Sequence, residues 1–161
     1  MMLFRMCLCV TAVALTAIAL LRSTSVVATE YRLTAAPAIA DEPQVVEDSM
    51  HEFMEYVFQP TYRRLKVSMA AQPADNAAWK AIKSDSLILA ESCNLLFART
   101  PDEGASDWAG HAAASRTDGA SLYKAAQAKD FAKATVAYKS MLNNCNACHR
   151  QFEDGKHILT P

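Results

Sequence analysis

The feature that most constrains this chain is a three-and-four spacing of residues between positions 131 and 152. Its members are Phe131, Ala134, Tyr138, Met141, Cys145, Cys148 and Phe152. Residues three or four positions apart share one face of an α-helix, so this spacing predicts a helix with one buried face and two cysteines on that face. We predict the helix from about Asp130 to Phe152, with Gly155 in the turn that ends it.

Three earlier segments have the same helical periodicity, and no alternating strand pattern occurs. We predict helices over about Gln44 to Ala71, Asn76 to Arg99 and Asp107 to Ala128. The residues expected on their buried faces are Val46, Met50, Phe53 and Val57, then Trp79, Ile82, Ser86, Leu89, Cys93 and Leu96, and then Trp108, Ala112, Ser115, Gly119, Leu122 and Ala126. Four helices with short connections predict an all-α fold, an antiparallel up-down-up-down four-helix bundle.

Two residues predict where helices begin or bend. Asp75 is suited to cap the second helix with its side chain. Pro60 lies inside the first predicted helix, where it removes one backbone hydrogen bond and crowds the preceding turn. We therefore predict a kink or a short break near Gln59, with Pro60 opening a second helical stretch.

The last predicted helix carries the motif Cys145-Asn146-Ala147-Cys148-His149. Two cysteines three positions apart, followed at once by histidine, form the attachment pattern of a c-type haem. Because both thiols share one helical face, each can form a thioether to a vinyl group of the same flat macrocycle. The motif thus predicts one covalent haem c, with Cys145 and Cys148 as anchors and His149 as the proximal iron ligand.

The same pair of cysteines also occurs in dithiol redox centres and in zinc sites. A thioredoxin-like centre should lie beside a βαβ pattern, and a structural zinc site needs four ligands. Besides the motif, the chain after residue 28 offers only Cys93 and scattered histidines. Zinc binding or dithiol exchange stays open as an alternative. We predict that Cys93 is a buried free thiol without a function of its own.

The first 43 residues have the pattern of targeting and linking sequence. Arg5 precedes an uncharged apolar run from Met6 to Leu21, and Val26-Val27-Ala28 offers small residues for cleavage. An uncleaved membrane anchor is the alternative, although Arg22 ends the run early for a span. Either way the rest of the chain lies outside the cytoplasm, and we predict a periplasmic location. We predict a signal peptide over 1–28, a flexible N-terminal arm over 29–43 and a four-helix domain over 44–161.

The charge balance argues against a nucleic-acid partner. The whole chain has 16 basic and 17 acidic residues, which gives a net charge of −1. Residues 1–28 contain Arg5 and Arg22 but no acidic residue, so their removal leaves 14 basic and 17 acidic side chains. A nucleic-acid binder would carry a basic stripe instead. We therefore predict that the protein does not bind nucleic acid.

An exported four-helix chain with one Cys-x-x-Cys-His motif late on its fourth helix resembles cytochrome c′ and its low-spin, methionine-ligated relatives. The resemblance covers about residues 44–153 and rests on the motif, the helix order and the motif's position. It implies an antiparallel bundle that holds haem near one end, with His149 on the proximal side and the first helix over the distal face. Relatives of this type often dimerise, so the resemblance leaves a homodimer open.

In that family the sixth iron position decides the function. Members with a methionine there resemble electron carriers, whereas members with an apolar residue leave the site open and bind nitric oxide or carbon monoxide. Matching Pro73 and Trp79 to the corresponding family residues places Met54 at this position. The resemblance therefore implies a carrier of single electrons with iron between His149 and Met54. A five-coordinate, gas-binding module is the alternative.

Other residues compete with Met54 for this role. A methionine beside an apolar stripe is more often core filling than a ligand. Met50 lies one turn earlier and also faces inward, whereas His51 would give bis-histidine ligation but should point away from the apolar face. Members of the family commonly carry an aromatic and then a basic residue three and four positions after the histidine. Here those positions are Phe152 and Glu153, and this departure favours the electron-carrier branch.

An electron carrier would need only transient redox protein partners, which often dock on charged patches. After signal cleavage we expect no stable membrane insertion. No acid–base pair or nucleophile arrangement stands out, so we predict that the protein is not an enzyme. His111 and His157 are expected to be exposed to solvent.

Overall fold

The computed structural model describes residues 44–161, and the predicted signal peptide and N-terminal arm lie outside the described residues. This part of the chain contains helices and no strand. The elements in order are α1 (Met50–Phe53), a π-helical turn (Met54–Phe58), α2 (Gln59–Met69), α3 (Asn76–Ser92), a 3-10 helix (Cys93–Arg99), α4 (Ala105–Gln127) and α5 (Phe131–Phe152). The all-α prediction is confirmed. The helices form a bundle in which α3, α4 and α5 each pack against the helix before them.

Residues 50–69 form one continuous helical run, which we call the first helical stretch. It begins at Met50 rather than at the predicted Gln44. The reason is Ser49, whose side-chain oxygen caps the helix by accepting a hydrogen bond of 3.2 Å from the backbone N–H of Glu52. Val46 precedes this cap and is 97% exposed. Its predicted place on the buried face is therefore wrong.

The interruption predicted near Gln59 is the π-helical turn. The backbone N–H of Gln59 donates a hydrogen bond to the carbonyl of Met54, five residues earlier. Pro60 then falls in the first turn of α2, where its fixed φ suits the start of a helix. Pro60 lies at the start of α2 as predicted, but the chain widens the helix before the proline, so the predicted short break does not occur.

The second predicted helix begins as expected and ends differently. The Asp75 carboxylate caps α3 by accepting a hydrogen bond of 2.8 Å from the backbone N–H of Ala78. The predicted helical range from Asn76 to Arg99 is confirmed, although from Cys93 to Arg99 the chain tightens into the 3-10 helix. The helix stops before Thr100, whose ψ of 126° is the extended conformation favoured just before a proline.

Buried apolar side chains form two clusters. All six residues predicted on the buried face of the second helix are buried, as are all six on the third. The larger cluster contains four side chains without any solvent exposure, Leu65, Ile82, Leu122 and Ala134. The smaller cluster, which we call the site cluster, consists of Phe53, Cys93, Leu96, Trp108 and Ala112. Within residues 44–161, none of the helices combines the length and apolarity that a membrane crossing requires.

Candidate haem-binding site

The site cluster borders a cavity of about 310 Å³ with mainly apolar walls. All four residues predicted for the site line this cavity. Met54 reaches it from the first helical stretch, and Cys145, Cys148 and His149 reach it from α5. The fold therefore brings the predicted distal residue and the attachment motif to one place, although they lie near opposite ends of the described chain.

Both cysteines of the motif are half-buried free thiols. The Sγ atom of Cys145 lies 3.9 Å from the hydroxyl oxygen of Ser115 on α4, and Cys148 packs against the site cluster. Burial raises the pKa of Cys145 and raises the pKa of Cys148 to about 11. Burial disfavours the thiolate, so both groups are neutral thiols near pH 7. Their three-residue spacing gives them a common face toward the cavity.

The ring of His149 is held in one tautomer. Its Nδ1 atom lies 2.9 Å from the backbone carbonyl oxygen of His157. Because a carbonyl only accepts hydrogen bonds, Nδ1 carries the hydrogen, and in the neutral ring Nε2 keeps its lone pair. Burial lowers the pKa of His149, which favours the neutral ring. A neutral imidazole with one nitrogen oriented by a hydrogen bond is the form that binds metals.

The segment after α5 supplies the partner of His149, a role that the residue pattern did not predict. This segment, residues 156–161, follows a turn in which Asp154 and Gly155 have positive φ angles. His157, Ile158 and Leu159 from this segment line the cavity. These residues follow no helical periodicity, so their place at the cavity could not be predicted from the residue pattern.

Met54 is the first residue of the π-helical turn and is half-buried. It packs against the site cluster together with Met50, Val57 and Phe58. Its carbonyl accepts the five-residue hydrogen bond of the turn, so the local widening of the helix begins at this residue. Single π-turns inside α-helices are frequent at functional sites.

Met50 and His51 also line the cavity. The His51 side chain is 71% exposed, and its Nε2 lies 3.3 Å from a carboxylate oxygen of Glu55. The expectation that His51 points away from the apolar face agrees with this exposure. Met50 packs on the site cluster beside Met54, so both methionines present their side chains to the same region.

Aromatic side chains form part of the cavity wall. Trp108 and Phe152 pack edge to face with ring centroids 5.2 Å apart. The indole N–H of Trp108 donates a hydrogen bond of 2.8 Å to the carbonyl of Leu96, which satisfies this buried donor. Cys93 lies in the same wall and is buried, as predicted. Burial raises its pKa to about 12.

His111 differs from the sequence-based expectation. It is half-buried and lines the cavity, and its ring packs near Phe152. Its Nε2 lies 2.9 Å from the side-chain oxygen of Gln151, and the Gln151 amide donates to Asp107 at 2.7 Å. His111 is therefore less exposed than expected. The side chain of His157 is exposed as expected, but its backbone carbonyl belongs to the site.

Comparison of the chain with protein-family models, with curated proteins and with solved structures gave no match. Among residues 44–161, no three histidine, cysteine, aspartate or glutamate side chains are placed to hold a metal ion together. A haem iron makes a different demand, since it takes one axial ligand from each side of the macrocycle. The neutral His149 ring and the thioether of Met54 are groups that can serve as axial ligands. The two thiols share one helical face, and the cavity that these residues line is mainly apolar.

Proposed function

We propose that this chain is an exported mono-haem c-type cytochrome that carries single electrons. The haem c would be attached through Cys145 and Cys148, with its iron between His149 and Met54. The observation that supports this most directly is the meeting of these four side chains around one cavity, with Nε2 of His149 left free by the bond from Nδ1 to His157. When bound, haem supplies an iron that changes its oxidation state by one electron.

The protein residues have three tasks in this proposal. Cys145 and Cys148 hold the macrocycle covalently, so that it stays in place in both oxidation states. His149 and Met54 set the axial ligands, and a methionine opposite a histidine gives a higher potential than two histidines. The apolar walls around Trp108 exclude water, which also tunes the potential.

We propose that the four helical segments alternate in direction, with the haem near one end of the bundle. Support comes from where the cavity residues lie along their helices. Met54 is near the beginning of the first helical stretch, and Trp108 is near the beginning of α4. Leu96 lies in the 3-10 helix that follows α3, and Cys148 is near the end of α5. Four helices that run alternately up and down bring these ends together.

The proposed setting is the periplasm, after removal of the signal peptide. There the protein would exchange electrons with transient redox protein partners and would have no stable membrane insertion. It would act neither as an enzyme nor as a nucleic-acid binder, and a homodimer stays compatible with this role.

A second candidate function is a five-coordinate module that binds nitric oxide or carbon monoxide. One observation favours it. Met54 packs with Met50, Val57 and Phe58 against the site cluster, which is the packing of a core methionine. If Met54 only fills this wall, the distal side of the iron is apolar and open to a small gas.

The proposal is tested by producing the chain in an exporting host that is competent in cytochrome maturation. We expect a coloured protein that keeps its haem after denaturation. The absorption spectrum of the oxidised protein should be low-spin, with a weak sulfur-to-iron band near the red end of the visible range. A variant with Cys145→Ala and Cys148→Ala should be colourless. Cys93→Ala is the matched control and should retain haem.

Three results would contradict the proposal. A colourless protein whose two motif thiols still react with an alkylating reagent would exclude the haem. Zinc retained by the motif cysteines would favour the zinc alternative. A high-spin spectrum that shifts when carbon monoxide is added would contradict the electron carrier and favour the gas-binding module.

A further inference from the structure

We propose that Asn146 and Tyr62 are positioning residues that clamp the C-terminal segment, residues 156–161, so that the carbonyl of His157 holds the ring of His149. This inference rests on the proposed function, because it assigns a role toward the iron ligand. It assigns a role to Asn146 and to the segment after the last helix. Asn146 occupies one of the two unspecified positions of the Cys-x-x-Cys-His motif.

Asn146 makes a reciprocal pair of hydrogen bonds with one residue of the segment. Its side-chain Nδ2 donates to the carbonyl of Leu159 at 2.9 Å, and its Oδ1 accepts from the backbone N–H of Leu159 at 2.7 Å. Asn146 is 7% exposed, so its amide depends on these partners. A buried amide without partners is strongly unfavourable.

Tyr62 of α2 repeats this arrangement at the next residue. Its hydroxyl donates to the carbonyl of Thr160 at 2.7 Å and accepts from the backbone N–H of Thr160 at 3.0 Å. Lys66, one turn further along α2, donates to the Thr160 hydroxyl at 2.6 Å. Hydrogen bonds thus join the segment to α5 through Leu159 and to α2 through Thr160.

The backbone of His157 needs such support. Its φ is 56°, in the left-handed region that costs free energy for residues with a Cβ atom. Such a conformation persists where surrounding contacts determine it. Leu159 and Thr160 are fixed two and three residues later, and the carbonyl of His157 accepts the Nδ1–H of His149 at 2.9 Å. Asn146 and Tyr62 therefore act on the iron ligand through the chain between them.

The test measures how fast the Nδ1–H of His149 exchanges with solvent, by NMR of the haem-loaded, reduced protein. We expect Asn146→Ala to accelerate this exchange by roughly tenfold, the factor that corresponds to losing about 1.4 kcal/mol of hydrogen-bond free energy. The backbone N–H groups of Leu159 and Thr160 should also exchange faster. Tyr62→Phe should accelerate the Thr160 exchange and should have a smaller effect on His149.

Two controls separate positioning from general destabilisation. Asn143 is an exposed asparagine on the same helix, and Asn143→Ala should leave all three exchange rates unchanged. His157→Asn keeps the backbone carbonyl and a residue type that tolerates positive φ, so His149 should stay protected. The clamp is wrong if Asn146→Ala leaves the exchange of the Nδ1–H unchanged.

Failure of the clamp and failure of the proposed function give different results. Wild-type protein with haem, combined with an unaffected Asn146→Ala variant, rejects the clamp alone. Wild-type protein without haem rejects the proposed function. The same exchange measurements on that haem-free protein then decide the clamp, since every hydrogen bond it invokes is made between protein groups.

Discussion

Met54 and His149 line one cavity, the first from the π-helical turn and the second from the last turn of α5. If iron lies between them as proposed, Met54→Ala removes the thioether and opens the sixth position. We expect the sulfur-to-iron band to disappear and the reduced protein to bind one carbon monoxide per haem, where the unaltered protein binds none. Absorption spectra with and without carbon monoxide measure both changes.

The competing residues provide the controls for this prediction. Met50 packs on the same cluster, and His51 lies beside it at the cavity. Met50→Ala and His51→Ala should both keep the sulfur band, because neither removes the proposed ligand. Loss of the band in Met50→Ala, with retention in Met54→Ala, would transfer the ligand role to Met50.

Cys93 gives a prediction about thiol reactivity. If haem takes Cys145 and Cys148 as proposed, Cys93 is the single cysteine of residues 44–161 that remains free, and burial raises its pKa to about 12. Only the thiolate reacts with alkylating reagents. Its reaction rate should therefore be low at pH 8 and should keep rising well above pH 9, where an ordinary thiol levels off.

Mass spectrometry after timed alkylation measures this rate. The same protein unfolded in guanidinium chloride is the control, and there Cys93 should react like a cysteine in a peptide. Fast modification of Cys93 in the folded protein at pH 8 would show that this wall of the cavity opens to solvent.

The buried faces of the helices could be predicted from the sequence because their residues recur at the spacing of a helix. Trp79 on the second predicted helix and Leu122 on the third both follow the helical spacing, and both are buried in the structure. Asp75 was recognisable as a cap because a carboxylate just before an apolar helical pattern satisfies the first free N–H groups. The prediction that Met54 lies near the motif depended on the family resemblance as well. A methionine beside an apolar stripe is by itself more often part of the core than a ligand.

Other features could not be predicted because their causes are not periodic. Tyr62 and Thr160 are 98 positions apart, and their hydrogen bonds depend on where two helices and a turn place them. The π-helical turn at Met54 reflects how the backbone accommodates Pro60. The residue pattern predicts that the helix is interrupted near the proline, but not the form of the interruption. Val46 continues the helical spacing by chance, beyond the cap formed by Ser49.

A buried carboxylate joins α2 to α3 and gives a stability prediction. Asp85 is 5% exposed, and one of its carboxylate oxygens accepts hydrogen bonds of 3.1 Å and 2.8 Å from the guanidinium group of Arg64. Arg64→Ala would leave this buried acceptor without its partner. We expect the free energy of unfolding to fall by about 1–3 kcal/mol, measured by guanidinium chloride denaturation.

The neighbouring residue provides a matched control for this change. Arg63 is an exposed arginine of the same helix, and Arg63→Ala should change the free energy of unfolding by less than about 0.5 kcal/mol. Adding Asp85→Asn to the Arg64→Ala variant should restore part of the loss, because a neutral amide is easier to bury than a charge. Equal effects of the two arginine substitutions would contradict the assignment.

Two glycines of α4 differ in their surroundings and test how closely α3 and α4 pack. A Cβ atom on Gly119 would lie 3.1 Å from the Cβ and 3.2 Å from the Cα of Ala90, whereas a Cβ on Gly110 would meet nothing within 4 Å. Replacing a mid-helix glycine by alanine gains about 0.5–1 kcal/mol in backbone terms. Gly110→Ala should therefore raise the free energy of unfolding by about that amount.

At Gly119 the same backbone gain is opposed by overpacking, which costs about 1–3 kcal/mol when the neighbours cannot move aside. The atoms of Ala90 include its helix backbone, which yields less easily than a flexible side chain. We therefore expect Gly119→Ala to be about 1–3 kcal/mol less stable than Gly110→Ala in matched denaturation curves. Equal stabilisation by the two substitutions would mean that α3 and α4 lie further apart at Ala90 than these distances indicate, and Gly119→Val should then be tolerated as well.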